Sequence, residues 1–209
     1  MELKIAVFLS LLLTVSCSNP EIHPKGKAQN SDTPAAEDSL KQKAFVLTKL
    51  YNERSCKEFL NEFPDNFEDF ILLYGYDDEK GPGPLYSKLE HITYFFECPE
   101  VSALEKLKRS IKVGIGGKWD ADLTGMFQDG SFDLVRKHPT EAKGILDNLS
   151  DERAASFWYF LFDSPHPNDK QNVTNFKLIQ MALGKDSKQA RLLADQFQEL
   201  RDSDDGHGY

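Results

Sequence analysis

This chain has no long hydrophobic run. Its apolar stretch Ile5–Val15 extends roughly 16 Å as a helix, about half of a ~30 Å bilayer core, and cannot cross it. An excess of positive charge is also missing. Lys and Arg number 25 against 34 Asp and Glu, a formal net charge of −9. That balance argues against nucleic acid, which is held largely by cationic side chains. It argues equally against electrostatic adhesion to anionic headgroups. Acidity does suit a basic protein partner, through complementary charge, and it suits plain solubility as well.

The usual motifs of catalysis are absent too. There is no Cys-x-x-Cys or His-Glu-x-x-His to form a zinc ligand set, and no Gly-x-Ser-x-Gly around a serine nucleophile. The histidines, His23, His91, His138, His166 and His207, stand far apart. Gly114–Trp119 is rich in glycine, yet Lys112 stands where a phosphate loop needs its first glycine and Trp119 where it needs Ser or Thr. A helix end followed by a turn is expected there. Asp202–Gly206 imitates the opening of a calcium loop, but its glycine comes one position early. Gln128-Asp129-Gly130-Ser131 reads as a turn before a helix cap. No catalytic residue, metal or cofactor is expected from these patterns.

What is present begins with Cys17. Lys4 and the amino terminus precede the apolar run, which closes as Leu13-Thr14-Val15-Ser16-Cys17 and gives way to Ser18-Asn19-Pro20. This is the layout of a signal peptide, with small Ser16 before the cut. The residues around Cys17 resemble the lipobox of bacterial lipoproteins, although Thr14 stands where Leu, Val or Ile is commonest and Glu2 lowers the charge of the leader. The resemblance implies cleavage before Cys17 and acylation of its sulfur and new amino group. It also implies attachment to the bacterial cell envelope, facing the periplasm or on the outer membrane. Two acyl chains anchor stably where one binds only marginally. The alternative is an ordinary secreted protein in which Cys17 is incidental.

The expected organisation is a signal peptide over 1–16, a lipidated flexible tether over 17–37, a helical domain over 38–201 and a disordered acidic tail over 202–209. The tether is rich in proline and poor in apolar residues, so little in it repays ordering. Within the domain the apolar period is helical. Ser55 and Glu58 have the spacing of a capping box, as do Ser102 and Glu105. Asp65 with Glu68 is expected to start a further helix, and Asp186 to cap the last. Stripes run through Val101, Leu104, Leu107, Ile111 and Ile115, then Ala154, Phe157, Trp158 and Leu161. Others follow through Phe176, Ile179, Ala182 and Leu183, and through Ala190, Leu193, Phe197 and Leu200. With no run of alternating β-branched residues, the expectation is an all-α fold of seven to nine helices. Cys56 and Cys98 either form a disulfide, closing about forty residues and worth about 4 kcal/mol, or pack as two buried free thiols.

One loop departs from this helical pattern. Gly81-Pro82-Gly83-Pro84 cannot continue a helix, and it follows Asp77-Asp78-Glu79, with Tyr74, Tyr76 and Tyr86 around it. Three carboxylates in sequence read as a solvated charge run, as a protein-contact loop, or as an acid/base or Ca²⁺ site. Tyr76, Asp77, Asp78, Glu79 and Tyr86 are the candidate contact residues, since tyrosine is enriched at interfaces. Phe63-Pro64, Phe67, Phe70, Leu73-Tyr74-Gly75-Tyr76-Asp77-Asp78, Pro84-Leu85-Tyr86, His91-Ile92 and Phe95-Phe96 together resemble a block found in small bacterial lipoproteins, some of them similar to immunity partners of secreted toxins. The resemblance implies a non-catalytic, protein-binding domain that covers a basic partner such as a toxin. A structural or accessory envelope lipoprotein is the alternative, and a hydrolase whose site is assembled only in three dimensions is a third.

Overall fold

The computed structural model describes residues 34–120 and 122–203. The signal segment, Cys17, the tether up to residue 33 and residues 204–209 of the expected tail lie outside the described residues, while Asp202 and Ser203, expected to belong to that tail, continue the last helix. The described residues form an all-α domain, with ten helices where seven to nine were expected. They are α1 (Pro34–Asn52), α2 (Cys56–Glu62), α3 (Phe67–Tyr74), α4 (Leu89–Glu97), α5 (Ala103–Gly114), α6 (Asp122–Lys137), α7 (Pro139–Leu146), α8 (Asp151–Phe162), α9 (Lys170–Leu183) and α10 (Lys188–Ser203). Between α3 and α4 lies a two-stranded antiparallel hairpin, β1 (Tyr76–Asp77) with β2 (Gly81–Pro82). Helix α1 begins at Pro34, inside the segment expected to be tether. Proline is tolerated at a first helical position, where its missing N–H would have no intrahelical partner. No helix among the described residues is long and apolar enough to cross a membrane.

Capping explains where several helices start. Ser102 makes the expected capping box with Glu105: its hydroxyl receives the Glu105 N–H, and the Glu105 carboxylate receives the Ser102 N–H. Three other expectations need correction. Ser55 makes no side-chain cap, because its ψ of 72° departs from the extended values of 151°, 157° and 156° adopted by Ser102, Ser150 and Asp169. The preceding Arg54 sits at φ 58° and turns the chain away. Helix α3 is capped by Asn66, which accepts from Asp69 N at 2.8 Å, and not by Asp65. At α10 the Ala190 N–H goes to the Ser187 hydroxyl, and Asp186 offers only its carbonyl, to the Arg191 guanidinium.

Gln128–Ser131 is not a turn but the middle of α6. Gly130 is needed there because the Phe96 ring lies on it: a Cβ would come within 2.4 Å of that ring. Its neighbours serve packing as well. Ser131 and Ser110 share a buried hydrogen bond of 2.7 Å between α6 and α5. Gln128 donates to the carbonyls of Phe160 and Asp163, fixing the end of α8. The core is aromatic. Phe59 of α2 and Phe63 just after it, Phe70 and Tyr74 of α3, Phe95 of α4, Phe127 of α6 and Phe160 of α8 are all fully buried. Trp158 is buried as well, its indole N–H donating to Gln189 of α10 at 3.0 Å. Cys56 and Cys98 form a disulfide that ties the start of α2 to the end of α4, with Cα atoms 5.7 Å apart.

Candidate protein-contact site

The hairpin is held against the end of α3 by its backbone. Gly83 N donates to Gly75 O at 2.9 Å, and Leu85 N donates to Leu73 O at 2.8 Å. A Cβ on Gly83 would sit 2.6 Å from Leu73 O, so only glycine allows the return strand this close. The tip is ordered by Asp77, whose Oδ1 accepts from Lys80 N at 2.8 Å and Glu79 N at 2.9 Å. Those two donors hold the Asp77 carboxyl below its ordinary pKa. Gly81 then takes φ 83°, the left-handed conformation that closes the turn. Asp77, Asp78 and Glu79 are all exposed.

The three tyrosines divide. Tyr76 is 48% exposed and meets the half-buried Tyr86 edge to face, with ring centroids 5.8 Å apart. Tyr74 points the other way and is fully buried. Its hydroxyl is hydrogen-bonded to His91 Nδ1 at 3.2 Å.

Beside Tyr76 is a second exposed aromatic that sequence spacing does not reveal. Trp119 is 39% exposed, and its backbone N–H donates to Asp163 Oδ2 at 2.7 Å. The loop after α5 reaches this position through Gly116, at φ 76°, and Gly117, on which the rings of Phe67 and Phe160 lie. The glycine cluster is thus a helix end and turn, as expected. Burial raises the Asp163 carboxyl above its ordinary pKa, and the Trp119 N–H partly offsets this. Tyr76, Trp119, Phe67, Ile71, Lys118 and Asp120 surround a surface cavity of about 350 Å³. The hairpin therefore supplies three carboxylates and one wall of an aromatic cup, and the loop after α5 supplies the other wall. Such a cup can take a cationic side chain over its ring faces.

His91 belongs to the core. It is fully buried among the rings of Tyr51, Phe59 and Tyr74. Its Nε2 and the Tyr94 hydroxyl are buried without a hydrogen-bond partner among the described residues. Burial lowers the His91 pKa from 6.5 to about 4. The unfolded chain therefore takes up this proton at a higher pH than the folded one. The stability that depends on His91 is complete above pH 6.5 and falls as the pH drops towards 4, by roughly 3 kcal/mol in all. Urea midpoints of the parent and His91→Phe should diverge in pH slope across this window; parallel slopes would show that the ring titrates normally. His138 lies elsewhere, half-buried at the start of α7 with Nδ1 3.8 Å from Glu141.

Among the described residues, no group of three or more His, Cys, Asp or Glu side chains is placed to hold a metal ion. No known protein family and no solved structure matches this chain.

Proposed function

We propose that this chain is a bacterial envelope lipoprotein, anchored through lipid on Cys17, whose helical domain binds a basic protein and neutralises it by occlusion. A secreted toxin is the most concrete such partner. The observation that carries this reading is the pairing of exposed Tyr76 and Trp119 around one cavity, next to the exposed carboxylates of Asp77, Asp78 and Glu79. Aromatic side chains at the centre of a contact commonly supply most of its binding energy. A rim of one charge sign speeds encounter with an oppositely charged partner. Because Asp77 already accepts two backbone N–H groups, the tip is ordered before binding and little loop entropy is lost on contact.

Site-specific photocrosslinking in living cells tests this directly. Probes at positions 76 and 119 should both crosslink to the same basic protein, and a probe at exposed Met181 on α9 should not. Reversing Asp77, Asp78 and Glu79 to lysine should then abolish that crosslink and the protection of cells against the captured protein. Capture of an envelope-assembly component, or retained protection in the reversed variant, would overturn the neutralising role.

A further inference from the structure

A second surface site lies away from the hairpin, between α5, α7 and the start of α8. It is a groove of about 570 Å³, within the range of small-molecule sites. Its apolar floor is Leu104, Ile111, Ile115, Ile145 and Leu149. Leu104 belongs to the α5 stripe expected to face the core, yet it is 42% exposed. Lys108, Lys112 and Arg153 line the same groove, against one carboxylate, Glu141. Such an excess of cations is unusual on a chain with net charge −9.

Two of the three cations share one end of the groove. Gly116 N donates to the Ser156 hydroxyl at 3.1 Å, tying the first turns of α8 to the carboxyl end of α5. Arg153, one turn before Ser156, therefore shares that end with Lys112. Leu104 lies eight residues back along α5, about 12 Å away at the helical rise. Lys108 stands midway between them, so the three cations line the groove from its middle to the Lys112 end, above the aliphatic floor. Lys112 has only a 3.8 Å contact with exposed Asp65, and no carboxylate of the described residues lies within 4 Å of the Arg153 guanidinium. Gly144 opens the groove from the α7 side. It sits inside a helix, where glycine costs stability relative to alanine, yet nothing lies within 4 Å of where its Cβ would be. Gly114, Gly117 and Gly130 differ, since each has an aromatic ring packed on it.

From these cations above an aliphatic floor we infer that the groove binds a medium-chain fatty acid, its carboxylate between Lys112 and Arg153 and its chain running over Ile111 towards Leu104. The head is specified by charge and the tail by aliphatic surface, and an open Gly144 leaves room for the chain.

Calorimetric titration of the full chain with laurate, kept below its micelle concentration, tests the inference. One saturable site is expected, with affinity lowered at least tenfold by Gly144→Leu, which fills the groove, and several-fold by Arg153→Gln. Dodecyltrimethylammonium, with the same tail and opposite charge, should bind far more weakly. The inference is overturned by an absence of saturable binding, by unchanged affinity in Arg153→Gln, or by equal binding of the cationic detergent. Saturation by an acidic amphipathic peptide of leucine and glutamate, with none by laurate, would also overturn it and assign the groove to a protein helix. Thermal unfolding of both variants checks that lost binding is not lost fold; should Gly144→Leu misfold, the exposed Arg153→Gln change decides.

Discussion

Removing the Cys56–Cys98 disulfide should lower stability by about 4 kcal/mol, measured as the shift in urea midpoint of a Cys56→Ala, Cys98→Ala double variant. The bridge spans 42 residues, and a closed loop of that length removes about 4 kcal/mol of chain entropy from the unfolded state. Alanine keeps both sites apolar, which matters because both cysteines are almost completely buried. The fold should survive the loss, since the two helices that the bridge joins also meet through their rings. Phe59 of α2 lies 5.2 Å from Tyr94 of α4, and Phe63, which ends α2, lies 4.6 Å from Phe95, centroid to centroid. The expected result is therefore a helical protein with an unchanged far-ultraviolet spectrum and an early midpoint. Reduction of the parent should reproduce that midpoint to within about 1 kcal/mol, the usual size of a small packing change. A shift below 1 kcal/mol would mean that the unfolded chain is already held compact without the bridge.

The helices were legible in the sequence wherever the apolar period was strong. The stripe through Ala154, Phe157, Trp158 and Leu161 lies in α8, and all four residues are buried. Local chemistry was less reliable. Ser55 and Glu58 have the spacing of a capping box, but spacing says nothing of ψ at Ser55, which the turn at Arg54 sets. Gln-Asp-Gly-Ser reads as a turn because glycine usually breaks a helix. Here Gly130 is kept inside α6 by a ring from α4, a contact across 34 positions that no local pattern records. The hairpin was legible as an irregular segment from its glycines and prolines, while its strand pairing and Asp77 turn were not. Tyr76, Asp77, Asp78, Glu79 and Tyr86 could be proposed as contact residues because they are neighbours in the chain. Trp119 could not, since only the fold brings it to the same cavity as Tyr76; the Gly116-Gly117 pair before it was the one hint that the chain turns there. Leu104 shows the reverse failure. Its place in a helical stripe implied burial, but the stripe is wider than the surface that α7 and α8 cover, and the uncovered part became the groove.

Truncating Phe127 to alanine should cost 3–5 kcal/mol, roughly the range for removing a fully buried aromatic side chain. Phe127 projects from α6 into the middle of the aromatic core. Its ring centroid lies 5.0 Å from Phe70, 5.4 Å from Phe96, 5.6 Å from Phe95, 5.8 Å from Phe63 and 6.5 Å from Phe160. The ring thus joins α6 to α3, α4, α8 and the residue that ends α2, so the cavity left by alanine would be walled by five other rings. Rigid rings collapse poorly into a void, which places the cost at the upper part of the range. Phe127→Leu keeps much of the volume but loses the edge and face contacts of a ring, each worth roughly 0.5–1.5 kcal/mol, so its loss should be smaller than that of alanine. Phe45 is the control: it is 64% exposed on α1, and its change to alanine should move the midpoint by no more than about 0.5 kcal/mol. If Phe127→Ala cost no more than Phe45→Ala in urea unfolding, Phe127 would not be the point where these helices meet, and the order of packing described above would be wrong. If the loss is large while crosslinking at positions 76 and 119 persists in the folded fraction, the hairpin and the loop after α5 hold their places through the backbone bonds of Gly83 and Leu85 and the Trp119–Asp163 bond. The contact surface would then depend on its local anchors more than on the depth of the core beneath it.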